Sequence, residues 1–276
     1  MLQNKITDNC ADEFISATVV MAIFNGEKHI KNQSVSIAES IPFDSGMVQI
    51  VLVDDCSIDS SLEIALGVFN KRPDFDVRVI KNKKNIGPFR SFEKGLKYVT
   101  GEIIFLADQD DYWCKSKFSV ILKEFRNRPT LGLIAHSASL SKDGYLTGNL
   151  IPSLKNGELF ALGCCLAFRS DLIQDMLERY RKLTSLLGYP LGHDRFICLY
   201  FQSSCNWTLL KQELIVHFIH SSNYSTRVKR KMSFREKFHK KIIERSAIYS
   251  VLRITSSQTI RLRINKLVYG VLAKIF

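Results

Sequence analysis

The 276-residue sequence contains no long hydrophobic run, and no window approaches the roughly 18 apolar residues that a membrane-spanning helix needs. Its first residues, MLQNKITDNCADEF, carry acids and amides where an export signal would have a basic start and an apolar stretch. These two absences predict a protein that is not exported and does not span a membrane. We therefore expect a cytoplasmic location.

Paired cysteines and recognisable phosphate or nucleic-acid motifs are lacking as well. The seven cysteines are odd in number and include no Cys-x-x-Cys pair, which argues against a disulfide framework and against a zinc site. No glycine-rich phosphate loop lies near the N-terminus, and no known nucleic-acid-binding motif is present. Despite the high sequence pI, we expect no nucleic-acid partner.

Positive charge is plentiful, but it is unevenly placed. The formal net charge is +12, and the stretch from Arg227 onward holds 14 Lys/Arg against only Glu236 and Glu244, so residues 1–226 are neutral overall. Apolar and basic positions alternate from residue 229, as in amphipathic helices that lie on anionic membranes. The sequence predicts a domain over 1–226 and a basic amphipathic helical tail over 227–276. The tail either holds the protein peripherally at the inner face of the cell membrane or packs on the domain.

Four short, apolar, β-branched runs alternate with stretches of helical character in the first 110 residues. Such an order is typical of β-α-β units, and it predicts an α/β fold with a mostly parallel sheet flanked by helices. The predicted strands are 18–23, 48–53, 77–80 and 102–107, and the predicted helices are 27–40, a helix after Asp59, and 92–98.

Polar side chains follow three of these strands at the point where each strand ends. Asn25 follows the first strand, Asp54 and Asp55 end the second, and Asp108 and Asp110 follow the fourth. Ligands of parallel sheets bind beyond the carboxyl ends of the strands, so we expect these side chains to share one crevice. That crevice is the candidate functional site.

The string Asp108-Gln109-Asp110-Asp111 places three carboxylates at the end of an apolar strand. Their mutual repulsion is costly unless a cation or hydrogen-bond donors neutralise it. Hard oxygen ligands suit Mg²⁺ or Mn²⁺, which commonly bridge protein carboxylates to the phosphates of a nucleotide. A solvated acidic turn without a ligand is the alternative.

Four motifs in this order and spacing resemble the family 2 glycosyltransferases of the GT-A fold. The resemblance is dense over about residues 16–115 and reaches about residue 226. The longer string 108–113 is similar to the form found in bacterial polysaccharide enzymes that transfer rhamnose, glucose or galactose. The motifs are Phe24-Asn25, Val53-Asp54-Asp55-Cys56-Ser57-Ile58-Asp59, Asn85-Ile86-Gly87 and Asp108-Gln109-Asp110.

The resemblance implies an inverting glycosyltransferase with a donor half over about 16–115 and an acceptor half over about 116–226. It would move a sugar from a UDP- or dTDP-linked donor to a glycan or lipid-linked glycan in bacterial surface polysaccharide synthesis, such as O-antigen or capsule. Two alternatives are a sugar nucleotidyltransferase and a non-catalytic protein that binds carbohydrate or nucleotide. The sequence does not indicate an oligomeric state.

The resemblance also implies roles for individual residues. Phe24 would line the base, Asp54 or Asp55 would accept a hydrogen bond from it, and Asp108 would reach the ribose or sugar. Asp110 would hold Mn²⁺ or Mg²⁺ with Asp108. The remaining donor-binding candidates are Asn25, Asn85, Gly87 and Arg90, the last of which is otherwise an exposed helix arginine.

In the second half, Asp194 matches the position of the family's general base, although a helix N-cap would occupy the same place. His220 would complete the metal site, or else is a loop histidine without a role. Gly163 lies on a predicted strand of small residues beside the sugar pocket. With His193 and Trp113 it is a candidate acceptor contact, although packing is the alternative for Trp113.

Overall fold

A computed structural model describes residues 15–155, 157–189, 191–220 and 234–252. Within those ranges the chain forms eleven strands, seven α-helices and a single 3₁₀ turn. The elements are β1 (Ala17–Ile23), α1 (Glu27–Ser40), β2 (Val48–Asp54), α2 (Ser61–Phe69), β3 (Phe75–Lys81), α3 (Pro88–Leu96), β4 (Ile103–Ala107), β5 (Asp111–Trp113), α4 (Lys117–Asn127), β6 (Leu131–Lys142), β7 (Tyr145–Leu150), β8 (Ser153–Lys155), β9 (Glu158–Phe160), the 3₁₀ turn (Gly163–Cys165), β10 (Leu166–Arg169), α5 (Ile173–Leu187), α6 (His193–Ser204), β11 (Asn206–Ile219) and α7 (Phe234–Leu252).

The large sheet has the order β3-β2-β1-β4-β10-β6-β11-β5, with β7 paired to β6. Its first four strands are parallel, and the long β6–β11 pairing is parallel too. Strands β10 and β5 run antiparallel to their neighbours. The strand order reverses around β1, which places a crevice at the carboxyl ends of β1, β2 and β4.

The sheet is buried on both faces, as the continuous apolar strands predict. Helices α1, α2 and α4 cover one face, where Ile30, Phe69 and Phe118 join the core. Helices α3, α5 and α6 cover the other, with Phe92 and Phe196 among the buried side chains. Because β1 and β2 are covered on both faces, their carboxyl ends are held rigidly where the site forms.

The small residues before β10 depart from the predicted strand. Gly163–Cys165 form a 3₁₀ turn, and the strand begins only at Leu166. The turn lies between the hairpin β8–β9 and the sheet, and Lys117 Nζ donates a hydrogen bond of 2.9 Å to the Cys164 carbonyl. The prediction of a strand at 163–165 is therefore wrong, because the chain needs a sharp change of direction there.

Helix α7 lies in the segment predicted to be a separate tail, and it packs against α5. Ile248 and Val251 are buried in this contact, and Arg179 donates to the Val251 carbonyl over 3.0 Å. For residues 234–252 the structure therefore shows a helix packed on the domain. Residues 227–233 and 253–276 lie outside the described part. No helix within the described part is both long and apolar enough to cross a membrane.

Candidate functional site

The loops after β1 and β2 are joined by a pair of hydrogen bonds around Asn25. The Asn25 backbone N–H donates to Ser57 Oγ over 3.1 Å, and the Ile58 N–H donates to Asn25 Oδ1 over 2.9 Å. Asn25 adopts φ 47°, a conformation that asparagine tolerates better than most residues. The predicted convergence of the β1 and β2 ends is confirmed, and Asn25 is part of the connection.

Gln109 connects the β1 end to the acidic loop after β4. The Phe24 N–H donates to Gln109 Oε1 over 2.8 Å, and Gln109 Nε2 donates to the Phe24 carbonyl over 3.1 Å. A Cβ on Gly26 would lie 2.4 Å from Gln109 Oε1, so a larger residue there would displace this amide from its hydrogen bonds to Phe24. Gln109, between Asp108 and Asp110, therefore fixes the position of the acidic loop relative to the end of β1.

Asp54 and Asp55 have different surroundings although both are buried. Asp55 accepts three hydrogen bonds of 2.8 Å, from Asn82 Nδ2, the Ile86 N–H and the Gly87 N–H. Asp54 Oδ1 accepts a hydrogen bond of 3.1 Å from the Ser57 N–H. Asp55 thus holds the loop before α3, which leaves Asp54 as the better placed of the two to contact a ligand.

The remaining donor-binding candidates lie around the start of α3. Gly87 has φ 85° and precedes Pro88, the first residue of the helix. Asn85 and Arg90 are both exposed. The structure therefore gives Gly87 a defined part in the loop that Asp55 holds, and it leaves Asn85 and Arg90 accessible from solvent.

The carboxylates after β4 crowd together at the opening of the crevice. Burial, followed by the negative charges of Asp111 and Asp110, raises the pKa of Asp108 to about 8. Burial and the charge of Asp111 also raise the pKa of Asp110. Asp111 is 2% exposed, and its Oδ2 has no hydrogen-bond partner among the described residues. A concentration of carboxylates with an unsatisfied oxygen fits a divalent cation.

Three histidines face these carboxylates, of which the sequence indicated only His220. His220 Nε2 lies 3.0 Å from Asp110 Oδ2, and its ring stacks on that of His29 at a centroid distance of 4.5 Å. His217 Nδ1 lies 2.7 Å from Asp111 Oδ1. Burial alone would lower the pKa of His217, but the hydrogen bond and charge of Asp111 outweigh burial and raise it to about 9.

Comparison with protein families identifies the chain. The model described as "Glycosyl transferase family 2" matches residues 18–177, which is more than half of the sequence. The chain belongs to glycosyl transferase family 2. The match spans β1 to the first residues of α5. Asp194, His217 and His220 lie beyond the matched residues, so their placement rests on the structure.

Curated relatives of this glycosyltransferase match over short segments. An uncharacterised glycosyltransferase of Nostoc sp. is 25% identical over 119 residues, 43% of this chain and 35% of the relative. The poly(ribitol-phosphate) beta-N-acetylglucosaminyltransferase TarS of Staphylococcus aureus is 32% identical over 96 residues, 34% of this chain and 16% of TarS. The matched segments thus span about a third or less of these relatives.

Solved structures show the fold over nearly the whole chain. The structure of S. aureus TarS 1-349 in complex with UDP-GlcNAc has a TM-score of 0.57 at 17% identity, covering 94% of this chain and 79% of that one. The Pyrobaculum calidifontis mannosyltransferase PcManGT in complex with GDP-Man and Mn²⁺ has a TM-score of 0.53 at 15% identity, covering 94% and 80%. The predicted GT-A fold is confirmed.

In the second half of the chain, Asp194 lies in the first turn of α6. The N-cap is Gly192, and Asp194 Oδ1 accepts the Arg195 N–H over 2.7 Å. A Cβ on Gly192 would lie 2.8 Å from that oxygen. Asp194 is therefore not the N-cap, and its carboxylate is held at the positive end of a helix dipole.

His193 and Gly163 meet in a packed cluster. The His193 ring stacks on Phe92 at a centroid distance of 4.5 Å, and a Cβ on Gly163 would lie 2.5 Å from His193 Nε2. Both ring nitrogens are buried without a hydrogen-bond partner among the described residues. The His193 ring is therefore packed against Phe92, and Gly163 is the small residue that gives it room.

Trp113 is a packing residue, so its assignment to the acceptor surface is wrong. Its side chain is 0% exposed and packs against Phe105, with the Lys117 ammonium 3.8 Å from the ring centroid. Burial lowers the pKa of Lys117 to about 8. The indole of Trp113 lies in the buried core rather than in the crevice, so an acceptor sugar cannot reach it.

Proposed function

We propose that this glycosyltransferase transfers a sugar from a nucleotide diphosphate sugar to a glycan acceptor with inversion at the anomeric carbon. The observation that carries the proposal is the meeting of Asp54, Asn25 and the Asp108–Asp110 loop at the carboxyl ends of parallel strands. Opposite this loop stands His220, 3.0 Å from Asp110. An open crevice with carboxylates and imidazoles suits a diphosphate bound through a cation.

The donor is a UDP- or dTDP-linked sugar. Half-buried Phe24 supplies an apolar wall for the base, and Asp54 accepts the imide N–H that uracil and thymine both carry. Asp108 reaches the ribose or sugar, while Asn25, Asn85, Gly87 and Arg90 surround the phosphates. The structure of TarS with UDP-GlcNAc supports a uridine nucleotide.

Mn²⁺ or Mg²⁺ fits between Asp110, His220 and Asp108, since these supply hard oxygen ligands and one imidazole. When bound, such a cation neutralises the charge of the diphosphate leaving group. The solved complex of PcManGT contains both GDP-Man and Mn²⁺, which supports this assignment. Gln109 maintains the loop geometry through its two hydrogen bonds to Phe24.

Asp194 is the proposed general base. Its carboxylate takes the proton of the acceptor hydroxyl while the oxygen of that hydroxyl bonds to the anomeric carbon. The bond from that carbon to the diphosphate oxygen breaks, and its electron pair leaves with the nucleotide diphosphate. A single displacement of this kind inverts the configuration. The Arg195 N–H in the first turn of α6 holds the Asp194 carboxylate in place through a hydrogen bond of 2.7 Å.

The acceptor is a glycan or lipid-linked glycan of a bacterial surface polysaccharide, such as O-antigen or capsule. The relative TarS is named for transfer to poly(ribitol-phosphate), which supports a polymeric acceptor. Attraction between the basic residues after 226 and an anionic membrane would hold the cytoplasmic enzyme near a lipid-linked acceptor. Since α7 is docked, this attraction is electrostatic and does not require the buried face of α7.

Product analysis tests the proposal against its alternatives. Full-length protein is incubated with UDP-, dTDP- and GDP-sugars, Mn²⁺ and lipid-linked acceptor extracts. A glycosyltransferase releases a nucleoside diphosphate, and NMR of the product shows the opposite anomeric configuration to the donor. In a parallel incubation with UTP or dTTP and a sugar 1-phosphate, release of inorganic diphosphate would identify a nucleotidyltransferase. Binding of nucleotide sugar without turnover in either incubation would identify a non-catalytic protein. Retained configuration would contradict single displacement by Asp194.

A further inference from the structure

A second cluster of potential metal ligands lies beneath the proposed nucleotide site. A carboxylate oxygen of Asp111, the Cys164 sulfur and a His217 ring nitrogen all lie within 4.8 Å of one another. The three residues come from β5, from the 3₁₀ turn before β10 and from β11. Asp111 and Cys164 are buried, at 2% and 1% exposure.

One oxygen in this cluster lacks a partner. Asp111 Oδ1 is paired with His217 Nδ1 at 2.7 Å, but the buried Oδ2 has no hydrogen bond within the described structure. A buried carboxylate oxygen left unsatisfied is costly, so native structures normally provide a donor, a water or a cation for it. The unpaired oxygen is an observation independent of the clustering, and it points to a ligand.

The donor set is softer than that of the nucleotide site. Asp110, His220 and Asp108 offer mainly hard oxygens, which suit Mg²⁺ or Mn²⁺. Sulfur, imidazole nitrogen and one carboxylate together suit Zn²⁺ or Co²⁺, and three protein ligands are enough for a tetrahedral ion with one further position. The thiol of Cys164 interacts with the Asp108 carboxylate, which brings the two sites into contact.

We propose that Asp111, Cys164 and His217 form a second metal site, which takes Zn²⁺ rather than the Mg²⁺ or Mn²⁺ of the nucleotide site. On binding, the Cys164 thiol and the protonated His217 ring each release one proton to solvent, so that the sulfur and a ring nitrogen can bond to the ion. The ion ties β5, β11 and the turn before β10 together directly under the acidic loop. The site does not rest on the transferase reaction, because its ligands bind the ion without nucleotide or acceptor.

Cobalt provides a spectroscopic test with full-length protein. Co²⁺ is titrated into metal-free protein under saturating Mg²⁺, which occupies the hard-oxygen site. Wild type should show the near-ultraviolet charge-transfer band of a cobalt–thiolate bond, and Zn²⁺ should abolish it by displacement. Cys164→Ser should lose the band. The matched control Cys205→Ser should keep it, because Cys205 caps α6 away from the cluster.

A second variant covers the case in which Cys164→Ser does not fold, as judged by circular dichroism. His217→Gln keeps the thiolate band but should bind Co²⁺ at least about tenfold more weakly, the usual scale for disturbing a metal site. Zn²⁺ should raise the Tm of wild type and of Cys205→Ser. It should not raise the Tm of Cys164→Ser or of His217→Gln. Absence of the band in wild type, its survival in Cys164→Ser, or unchanged cobalt affinity in His217→Gln would overturn the proposal.

Discussion

Asp54 and Asp55 are adjacent in the sequence and have different surroundings in the structure. All three hydrogen bonds to Asp55 come from the segment 82–87, so this carboxylate stabilises the loop that leads into α3. Asp54 accepts from the Ser57 N–H and otherwise lies at the open end of β2. The sequence motif could not distinguish the two carboxylates, because both follow the same buried strand.

Asn substitutions at these two positions should separate stability from donor binding. Asp55→Asn places an amide donor against backbone N–H groups and should lower the free energy of unfolding by about 1–3 kcal/mol. Asp54→Asn should leave stability nearly unchanged but weaken UDP-sugar affinity about tenfold, because a charged hydrogen bond is lost. Thermal unfolding and titration calorimetry measure the two effects. Equal loss of stability in both variants would contradict the division of roles.

Asp194→Asn tests the proposed base. The variant should bind donor with unchanged Kd, whereas transfer should fall by at least about 100-fold, since an amide cannot take the acceptor's proton. Asp171→Asn is the control, because Asp171 is an exposed carboxylate outside the crevice. Donor calorimetry and single-turnover kinetics measure the two quantities. If Asp194→Asn lost donor binding and turnover equally, its role would be structural.

Among the elements, α7 connects the second half of the domain to the basic segment. Glu158 accepts hydrogen bonds from Arg245 Nε over 2.7 Å and from Tyr249 OH over 3.2 Å. Arg195 NH1 donates to Glu244 over 2.8 Å, and Arg195 directly follows Asp194. Charged and apolar contacts thus bind α7 to β9 and to the start of α6, so this helix supports the position of the proposed base.

Two isoleucines of α7 provide a matched test of this docking. Ile248 is 0% exposed, whereas Ile243 is 43% exposed. Ile248→Ala should lower the free energy of unfolding by about 2–4 kcal/mol through lost burial and a cavity, while Ile243→Ala should change it by less than about 0.5 kcal/mol. Chemical denaturation measures both. Equal effects would mean that α7 does not pack on α5 in solution.

For the whole molecule, the separation of charge between a neutral 1–226 and a basic 227–276 suggests attachment to an anionic surface. The apolar side chains that an interfacial helix would insert into lipid are used by α7 to pack on the domain. Membrane binding would therefore depend on electrostatic attraction by the basic residues. Attraction of this kind is screened by salt, with a Debye length of about 8 Å at physiological ionic strength. The expected membrane contact is therefore reversible and salt-dependent.

Cosedimentation with vesicles of phosphatidylserine and phosphatidylcholine checks this expectation. The full chain should bind these anionic vesicles at low salt and dissociate from them as the salt concentration rises. It should not bind vesicles of phosphatidylcholine alone. Replacing Arg261, Arg263, Lys266 and Lys274 with Gln should weaken binding, because each basic residue near the surface contributes about 1 kcal/mol. The control replaces exposed Lys83 and Lys84 of the domain. Equal weakening in the control, or salt-independent binding, would contradict the electrostatic mechanism.

Local sequence pattern is enough to predict the parallel strands in the first half of the fold. The runs ending at Ile23, Asp54 and Ala107 are apolar and β-branched, and each is followed by polar residues at a short, regular distance. Parallel strands covered by helices place such ends at one edge, so the crevice with Asn25 and Asp108 followed from local pattern and the general topology of α/β sheets. Each strand and the polar residues after it can therefore be recognised from a short stretch of sequence, without knowledge of contacts between distant residues.

The partners of the acidic loop depend on tertiary contacts that the sequence pattern does not show. His217 and Asp111 are 106 residues apart and are in contact because β11 pairs with β5. Local sequence pattern does not predict this pairing. The absence of Cys-x-x-Cys argued against a zinc site, but Cys164 reaches the cluster from a separate turn. Likewise, the sequence of α7 does not reveal that Ile248 and Val251 are the residues buried when this helix packs against α5. Contacts between distant segments depend on how the whole chain packs, which spacing along the sequence does not contain.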